Sequence, residues 1–473
     1  MRKTVPTGSA FSWVIISLCL LILAPFLVIA FYNHPSADDY ICAIPAMQWG
    51  PITTTLGWYF SWSSRFSSAF FISLNPLVFK WLTGYQLNAW LLMAMVSSGF
   101  FFWFRTVTRF SSFPVLVSFA ILAFTGYLAT VPSMVEAFYY LSGAICYQPA
   151  NSFLLFLVSW WFYNIPLPAF SQLNFRSFLV LGIQCFLLFL IAGTNEMAMM
   201  FGLSLSGGLW LYRMITDKKW HPGLSTLFFA SVFSTGLVIF SPATYYRMQA
   251  SSSLKRTMSE VIANSATGYL EYVISWLSNP AFLMFSVLFL FVPVSDRVPL
   301  LKRPWLITLT TLSVLLSAFC FVPSFLGEGM VQGRTANALL FNFFLLYMMN
   351  VVFWKRNLFT SPVSIQPEPT LSLPLRILML ATVLSVVVTS NFRNVFDDLY
   401  SGDAAAYNQE RLERIRLVET SESDSIWVQP VQHRPKTIFF GEIGDYPQPW
   451  YDNFYAVYHG KKFVHLVEPA KSK

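Results

Sequence analysis

Eleven long apolar runs, spread along almost the whole chain, constrain the fold of this protein more than any other feature of its sequence. A helix rises about 1.5 Å per residue, so about 20 apolar residues cross the roughly 30 Å of hydrocarbon in a bilayer. Backbone amides find no water there, and a helix satisfies them within the segment. The sequence therefore predicts an all-α polytopic membrane protein with about eleven transmembrane helices, at 11–32, 87–104, 113–132, 149–165, 177–193, 196–213, 222–241, 274–294, 305–324, 335–353 and 373–390.

The composition excludes a soluble fold and a nucleic-acid partner. Hydrophobic residues make up 55% of the chain and charged residues only 11%, whereas a soluble domain carries about 25% charged residues. A soluble protein of this kind would expose large apolar patches. The net charge of +8 arises from short clusters of cations between the apolar runs, as the positive-inside rule expects. The charge therefore indicates topology in a membrane rather than binding to nucleic acid.

The clusters of cations between spans agree with one alternation of the runs across the membrane. With Arg2 and Lys3 inside, the later inner clusters lie at 105–109, 176, 213–219, 297–303, 355–356 and 376. An odd number of spans then sends the tail to the outer side. The first run is long enough to span and has no small-residue cleavage pattern after it, so we interpret it as a retained span rather than a signal peptide.

The polar tail predicts a second structural unit. Residues 1–390 form the predicted transmembrane domain, and residues 391–473 form a small extracytoplasmic α/β domain. We expect one helix and three short strands in it, at 408–418, 426–428, 437–440 and 462–467. About eighty residues bury little core by themselves, so the tail should dock on the outer face of the membrane domain. A proline-rich inner linker, 361–374, precedes the last span.

The first outer loop, residues 33–86, carries an acidic pair directly after the first span. Asp38 and Asp39 are costly to desolvate there and repel each other, so one carboxylate retains its proton to higher pH. Such a group could act as a general base beside the lipid surface; an ordinary solvated loop, or Asp38 capping a short helix, is the alternative. The aromatic stretch 58–66 in the same loop indicates an interfacial helix lying along the membrane.

Three outer arginines, Arg65, Arg247 and Arg334, run against the topological charge bias and therefore need a reason. Phosphate binding is one, because a guanidinium donates to two phosphate oxygens at once; snorkelling towards lipid headgroups is the other. Ionisable residues at membrane depth indicate a functional site by default. The further candidates for substrate binding on the outer side are Tyr40, Trp62, Glu136, Tyr139, Tyr147, Asn195, Glu196, Glu328 and Asn337.

Carboxylates and arginines on one face predict a site that handles a hydroxyl and a phosphate. A sugar on a lipid phosphate presents an electrophilic anomeric carbon and a phosphate leaving group. A carboxylate could deprotonate an acceptor hydroxyl while arginine stabilises the departing lipid phosphate. This single displacement would invert the anomeric centre and would need no nucleotide.

In these features the sequence resembles the GT-C class of polytopic glycosyltransferases, which use polyprenyl-phosphate sugars outside the cytoplasm. The matching motifs are the acidic pair Asp38-Asp39 after the first span and the aromatic segment 58–66 in the same long loop. The chain also resembles a group of bacterial membrane proteins with Asp-Asp-Tyr after the first span, a Trp-x-x-Arg segment, here 62–65, and a Glu-x-x-Tyr stretch, here 136–139. In size and layout it is similar to the serotype-converting glucosyltransferases of phage and bacteria.

The resemblance implies a GT-C-like fold in a bacterial cytoplasmic (inner) membrane and inverting sugar transfer to an extracytoplasmic glycan such as lipopolysaccharide O-antigen. It points to Asp38 as the catalytic base, with Asp39 as the second candidate. No cofactor is expected to be required, although Asp39 and Glu136 could hold one hydrated divalent ion, Mg²⁺ or Mn²⁺. The implied partners are the polyprenyl-phosphate donor, the glycan acceptor and membrane lipids, with a donor-synthesising enzyme and a flippase in the same pathway.

Three questions stay open on the sequence alone. A lipid-linked glycan polymerase or ligase would carry a long outer loop between late spans, whereas the longest outer loop here is the first. A flippase or transporter of lipid-linked sugar would carry charges or Gly/Pro breaks near mid-bilayer, whereas these spans are mostly free of charge. Cys42 and Cys146 both fall on the outer side, where they could form a disulfide or stay as two free thiols.

Overall fold

The computed structural model of this chain describes residues 7–164, 175–251, 256–358, 371–443 and 450–467. Helices α1 to α19 run, in order, over Thr7–Ile29, Asp38–Ser61, Phe66–Ser73, Leu82–Val107, Phe113–Thr130, Leu141–Asn164, Phe175–Ala192, Glu196–Asp217, Pro222–Ile239, Pro242–Ser251, Met258–Ser278, Pro280–Phe291, Arg303–Phe319, Val322–Gly327, Gly333–Leu358, Leu373–Val387, Ser390–Tyr400, Asp403–Thr420 and Trp450–Tyr458. A π-helical turn lies at Val135–Tyr139, and 3-10 turns lie at Ala30–Tyr32 and Pro76–Phe79. Strands β1 (Ser425–Val428) and β2 (Phe463–Leu466) pair in parallel. The predicted inner residues Arg2 and Lys3 and most of the linker 361–374 lie outside the described residues.

Eight of the described helices are long and apolar enough to cross a membrane, or up to ten when each of two bent pairs counts as one span. The chain is thus a largely helical, multi-pass membrane protein, as the apolar runs predict. The described residues therefore give at most ten spans, against the prediction of about eleven. The predicted span outside this count is the run 196–213, which forms α8 with Glu196 in its first turn.

Two of the predicted spans are bent rather than straight. The predicted span 274–294 divides into α11 and α12, which meet at 74°, and the last span divides into α16 and α17, which meet at 54°. Both bends lie beside the end of α5: the side-chain amide of Asn279 donates to the Ala129 carbonyl oxygen at 3.1 Å, and that of Asn391 donates to the Leu128 carbonyl oxygen at 2.8 Å. The last carbonyls of a helix lack helical partners, so these asparagines satisfy them and fix the bends there.

The core of the bundle lies between α4, α5, α6 and α15. The ring of Phe100 on α4 lies 5.8 Å from that of Phe344 on α15 and 6.4 Å from that of Tyr127 on α5. Helices α4 and α6 approach closely at Gly99, where a Cβ atom would lie 2.9 Å from the side chain of Leu155. Small residues at such crossings strengthen membrane helix pairs, since packing rather than the hydrophobic effect holds them together.

Charged residues gather at the two ends of this bundle. At one end, Asp296 pairs with Arg109 at 2.9 Å and with Arg356 at 3.1 Å. Cations that follow α4 and end α15 therefore share this end, which we call the Asp296 end. The opposite ends of α4 and α15 meet near Asp38 and Arg334. We call this the Asp38 end.

The C-terminal segment, defined as the described residues 390–443 and 450–467, covers the Asp38 end. Its helix α18 includes the helix expected at 408–418, and β1 and β2 correspond to two of the expected strands. Tyr407 packs into the core of the bundle, while Tyr455 packs into a second apolar cluster with Tyr40 and Tyr140. The segment therefore shares its buried residues with the membrane helices.

The third expected strand, 437–440, is absent, and these residues begin in a turn. The carboxylate of Asp398 accepts hydrogen bonds from the backbone amides of Lys436 and Thr437 at 3.0 and 2.8 Å. A side chain on α17 therefore satisfies the amides that a strand would have paired with a neighbouring strand.

Candidate functional site

A tight turn places the predicted acidic pair at the Asp38 end. The Asp39 amide donates to the Ser36 carbonyl oxygen at 3.0 Å and closes the turn. Between them Ala37 has φ +44° and ψ −119°, the geometry of a type II′ turn, in which this position usually holds glycine. Helix α2 begins at Asp38, so both carboxylates lie at the positive end of a helix dipole.

Asp39 is fully buried, and its carboxylate accepts four hydrogen bonds. Oδ2 accepts from the Ser36 amide at 3.0 Å and from the Tyr85 hydroxyl at 2.7 Å. Oδ1 accepts from the amide and the hydroxyl of Ser142 at 2.8 and 2.7 Å. Burial raises the pKa of Asp39 to about 6, although the hydrogen bonds act in the opposite direction. These contacts favour a structural role for Asp39 over the predicted catalytic one.

Asp38 is the accessible member of the pair. Its side chain is 41% exposed, and Oδ2 lies 3.9 Å from Nη1 of Arg334. Its backbone amide donates to the Tyr140 hydroxyl at 3.3 Å. A carboxylate with open lone pairs beside a guanidinium is available to accept a proton from a bound hydroxyl.

Glu136 ties the start of α15 to the π-helical turn and so fixes Arg334. Its Oε2 accepts from the Arg334 amide at 2.8 Å. The approach requires Gly333, because a Cβ atom there would lie 2.4 Å from Glu136 Oε1. Asn337 adds two contacts, accepting from the Ser133 amide at 3.0 Å and donating to its carbonyl oxygen at 2.8 Å. Burial raises the pKa of Glu136, while the contacts make Asn337 a structural residue rather than a substrate ligand.

Arg65 and Glu196 form a bidentate ion pair. Nε of Arg65 lies 3.1 Å from both carboxylate oxygens, and Nη2 lies 2.7 Å from Oε2. The tight return at Gly193 makes this possible, since a Cβ atom there would lie 2.3 Å from the Phe66 ring. The Gly193 carbonyl oxygen also accepts from the Ser67 amide at 2.8 Å. A phosphate on Arg65 would therefore have to compete with Glu196.

Arg247 and Arg334 are less engaged than Arg65. Within the described parts of the chain, the Arg247 side chain has no hydrogen bond or ion pair, and the closest acid to the Arg334 guanidinium is Asp38 at 3.9 Å. Arg247 lies within electrostatic reach of the other two arginines and of two carboxylates, Glu196 and Glu328. Burial lowers the pKa of Arg247, and the neighbouring arginines act in the same direction. A guanidinium without a close acidic partner, such as that of Arg247, favours binding of an anion.

The other predicted substrate-binding residues divide into two groups. Tyr147 is buried within electrostatic reach of both Arg65 and Arg334, and Glu328 is exposed near Arg247, so both border the arginine cluster. Trp62 is 68% exposed at the end of α2.

Tyr40, Tyr139 and Asn195 support the fold instead of facing the cluster. The Tyr40 ring packs edge-on against Tyr455 at 5.2 Å. The Tyr139 hydroxyl donates to the Phe26 carbonyl oxygen at 2.7 Å, and Asn195 caps the start of α8. Their side chains are therefore committed to structural contacts.

The sequence left open a divalent ion held by Asp39 and Glu136 and a disulfide between Cys42 and Cys146. Within the described ranges, no group of three or more His, Cys, Asp and Glu side chains could hold a metal ion. Each oxygen of Asp39 already accepts two hydrogen bonds, so Asp39 and Glu136 do not fit a hydrated divalent ion, and we assign no step to one. Cys42 and Cys146 are free thiols that pack in one apolar cluster.

Sequence reasoning missed residues that support the acidic pair. Ser142 and Tyr85 bind Asp39, but a serine and a tyrosine near helix starts carry no local signal of that role. Arg411 offered a signal, because it lies on a helical stripe with i, i+4, i+7, i+11 spacing. That stripe is buried in the structure and consists of Tyr407, Arg411, Arg414 and Val418.

Comparison with known proteins adds no relative: no protein-family model matches the chain, and neither a curated protein nor a solved structure gives a significant match.

Proposed function

We propose that this protein transfers a sugar from a polyprenyl-phosphate donor to a hydroxyl of an extracytoplasmic glycan, with inversion at the anomeric carbon. The observation that carries the proposal is the half-exposed Asp38 carboxylate 3.9 Å from Arg334. Arg247 lies within electrostatic reach of that arginine and, in the described residues, has no acid at hydrogen-bond distance. The cluster therefore offers a base and an anion-binding group side by side.

Each residue has a defined role in this proposal. Asp38 accepts the proton of the acceptor hydroxyl as its oxygen bonds to the anomeric carbon. The bond between that carbon and the phosphate oxygen breaks, and the lipid phosphate leaves with the electron pair. Arg334 and Arg247 stabilise the charge that develops on the phosphate. Arg65 is neutralised by its ion pair with Glu196 and has no direct role in this step.

The surroundings of the cluster suit a lipid-linked donor. Ile52, Leu56 and Phe60 form a stripe on α2 with exposures of 67%, 54% and 58%. Such a stripe suits a helix in the membrane interface. It lies beyond the break at Gly50, where φ is +75°, in the part of α2 that leads to Arg65. We place the Asp38 end on the outer side of a bacterial inner membrane, since the positive-inside rule assigns the cationic Asp296 end to the cytoplasm.

The position of the helix bends favours a transferase over a flippase. A carrier of lipid-linked sugars would use broken helices near mid-bilayer. The two bends among the described spans instead lie at Asn279 and Asn391, whose side chains bond the last carbonyls of α5. They are therefore placed at helix ends and not along a route through the bundle.

The test is transfer of radiolabelled glucose from polyprenyl phosphate to a mixed surface-glycan preparation by the purified protein in lipid. Asp38→Asn should lower transfer by roughly 100- to 10,000-fold, the usual contribution of a general base. Asp397→Asn is the matched control, because Asp397 is an exposed carboxylate on the C-terminal segment. Retained transfer in Asp38→Asn would refute Asp38 as the base. Donor movement across the bilayer without any transfer would favour a flippase.

A further inference from the structure

The backbone at Ala37 is strained directly before Asp38. Its φ of +44° lies in a region that residues other than glycine rarely adopt and that persists only when the surroundings enforce it. Ala37 is also buried, with 3% of its surface exposed. Whatever holds Ala37 in this conformation therefore also sets the position of the Asp38 carboxylate.

The C-terminal segment bonds both residues that precede Ala37. Nη2 of Arg411 donates to the Pro35 carbonyl oxygen at 2.7 Å. The Ser36 hydroxyl donates to the Gly441 carbonyl oxygen at 3.0 Å. Two separate parts of the segment, α18 and the irregular stretch after the turn at 436–438, thus hold the chain immediately before the strained residue.

Two further contacts extend this attachment on either side. Nε2 of His34 lies 2.8 Å from Oδ1 of Asn408 on α18. The Tyr140 ring, whose hydroxyl accepts from the Asp38 amide, stacks on Phe440 with ring centroids 3.7 Å apart and planes inclined by 7°. The segment therefore also holds the residue that fixes the Asp38 backbone.

Arg411 is the least expected of these contacts. Its side chain is 1% exposed, and its Nε has no hydrogen-bond partner within the described part of the chain. Burial of a guanidinium is unfavourable unless hydrogen bonds and charge compensate it. The Arg411 charge lies within electrostatic reach of Tyr407, Tyr40, Tyr455 and Glu442. The acceptor of its hydrogen bond belongs to the loop that leads into Asp38.

The other attachment point is rigid. Arg414 and Glu442 form a buried ion pair at 2.6 Å, with side-chain exposures of 5% and 0%. Glu442 also accepts from the amides of Val431 and Ile443, both at 2.8 Å. These bonds hold the backbone next to Gly441, whose carbonyl oxygen receives the Ser36 hydroxyl.

We propose that the C-terminal segment acts as a clamp on the Ser36–Asp39 turn, and that Arg411 is a positioning residue for the Asp38 carboxylate. Without the clamp, Ala37 relaxes towards negative φ and turns the start of α2, which moves Asp38 away from Arg334. The effect on turnover rests on the proposed function, whereas the clamp itself is a property of the fold.

The first test is amide hydrogen exchange of the full chain in detergent, followed by mass spectrometry of peptides that cover residues 33–46. Arg411→Lys should accelerate exchange there by about tenfold or more, because the turn opens locally. Ser36→Ala, which removes the hydroxyl that donates to the Gly441 carbonyl oxygen and leaves Arg411 in place, gives a milder version of the same change and covers the case in which Arg411→Lys does not fold. Arg416→Lys is the matched control, since Arg416 is exposed on the same helix. Unchanged exchange in both test variants overturns the clamp.

The second test separates positioning from general stability. Arg411→Lys should lower kcat about tenfold with little change in donor KM, as misplacement of a reacting group does. Adding Ala37→Gly should restore kcat to within about threefold, because glycine adopts positive φ without strain. Normal kcat despite faster exchange, or no rescue by Ala37→Gly, overturns the positioning role. If the unmodified protein transfers no sugar, the proposed function fails, and the exchange comparison still decides the clamp.

Discussion

Asp39→Asn should destabilise the protein, and the magnitude follows from its four hydrogen bonds. The carboxylate is the acceptor in all of them. In asparagine an NH2 group replaces one of the two carboxylate oxygens. At the Oδ2 position it would face the backbone N–H of Ser36, and at the Oδ1 position it would face that of Ser142. The hydroxyls of Tyr85 and Ser142 can reverse and accept, but a backbone amide cannot. One unsatisfied buried amide costs about 1–3 kcal/mol.

The effect should depend on pH because the charge of Asp39 is buried. Burial raises the pKa of Asp39 in the folded protein from 3.8 to about 6, so the folded protein binds more protons than the unfolded chain between these values. The contribution of Asp39 protonation to the free energy of unfolding is fully present below about pH 4 and is lost as the pH rises through about 6. The full loss amounts to roughly 3 kcal/mol. Asparagine does not titrate, so the variant Asp39→Asn loses no stability through this group over this pH range. Its destabilisation relative to the unsubstituted protein should therefore be largest near pH 4 and should vanish or reverse above about pH 7.

Thermal unfolding in detergent, followed by tryptophan fluorescence at several values between about pH 4 and pH 8, measures this dependence. Asp38→Asn is the matched control, because it removes the same charge from the neighbouring, half-exposed side chain. Its effect on the free energy of unfolding should stay within about 0.5 kcal/mol at every pH. A pH-independent effect of Asp39→Asn, or equal effects of the two variants, would refute the buried-carboxylate interpretation.

Three other substitutions test separate parts of the structure. Arg334→Ala should raise the donor KM by roughly 10- to 100-fold, as loss of a charge-assisted contact does, and should change the acceptor KM less. Steady-state kinetics measure both constants. Equal changes in the two would make Arg334 a structural residue or a headgroup anchor. Glu442→Gln should destabilise the C-terminal segment by about 3–5 kcal/mol, because it leaves the Arg414 charge buried without its carboxylate partner. Limited proteolysis and thermal unfolding measure the loss of stability. A loss below about 1 kcal/mol would contradict the prediction. Gly333→Ala should lower the free energy of unfolding by about 1–3 kcal/mol through overpacking against Glu136. Gly327→Ala is the control and should leave the unfolding temperature unchanged, because a Cβ atom there meets nothing within 4 Å. Equal unfolding temperatures for the two variants would exclude the predicted clash.

The candidate site could be predicted in part, because its residues share one kind of position. Asp38, Arg247 and Arg334 are charged groups at the ends of apolar runs, and the alternation of spans assigns them to one side. The structure brings them together at the Asp38 end. The different fates of Asp38 and Asp39 could not be predicted, because the partners that bury Asp39 lie 46 and 103 residues away in sequence, at Tyr85 and Ser142.

The bends and the C-terminal attachment show the same limit of local pattern. Asn279-Pro280 interrupts an apolar run that otherwise satisfies the length of a span, and the direction of the bend depends on the Ala129 carbonyl oxygen. Arg411 lies on a helical stripe, but no local pattern shows that its guanidinium donates to the Pro35 carbonyl oxygen once α18 docks. In both cases a hydrogen bond to a distant carbonyl selects one of several locally acceptable conformations.

The sequence by itself determined that this protein is helical and crosses a membrane several times, because apolar length and backbone hydrogen bonding in lipid allow little else. It also determined which charges lie near helix ends, since burying them within a span is unfavourable. Only the tertiary structure decided which of those charges remain accessible. Accessibility depends on contacts between distant segments: Ser142 and Tyr85 enclose Asp39, Glu196 pairs with Arg65, and the C-terminal segment holds the turn that leaves Asp38 open beside Arg334.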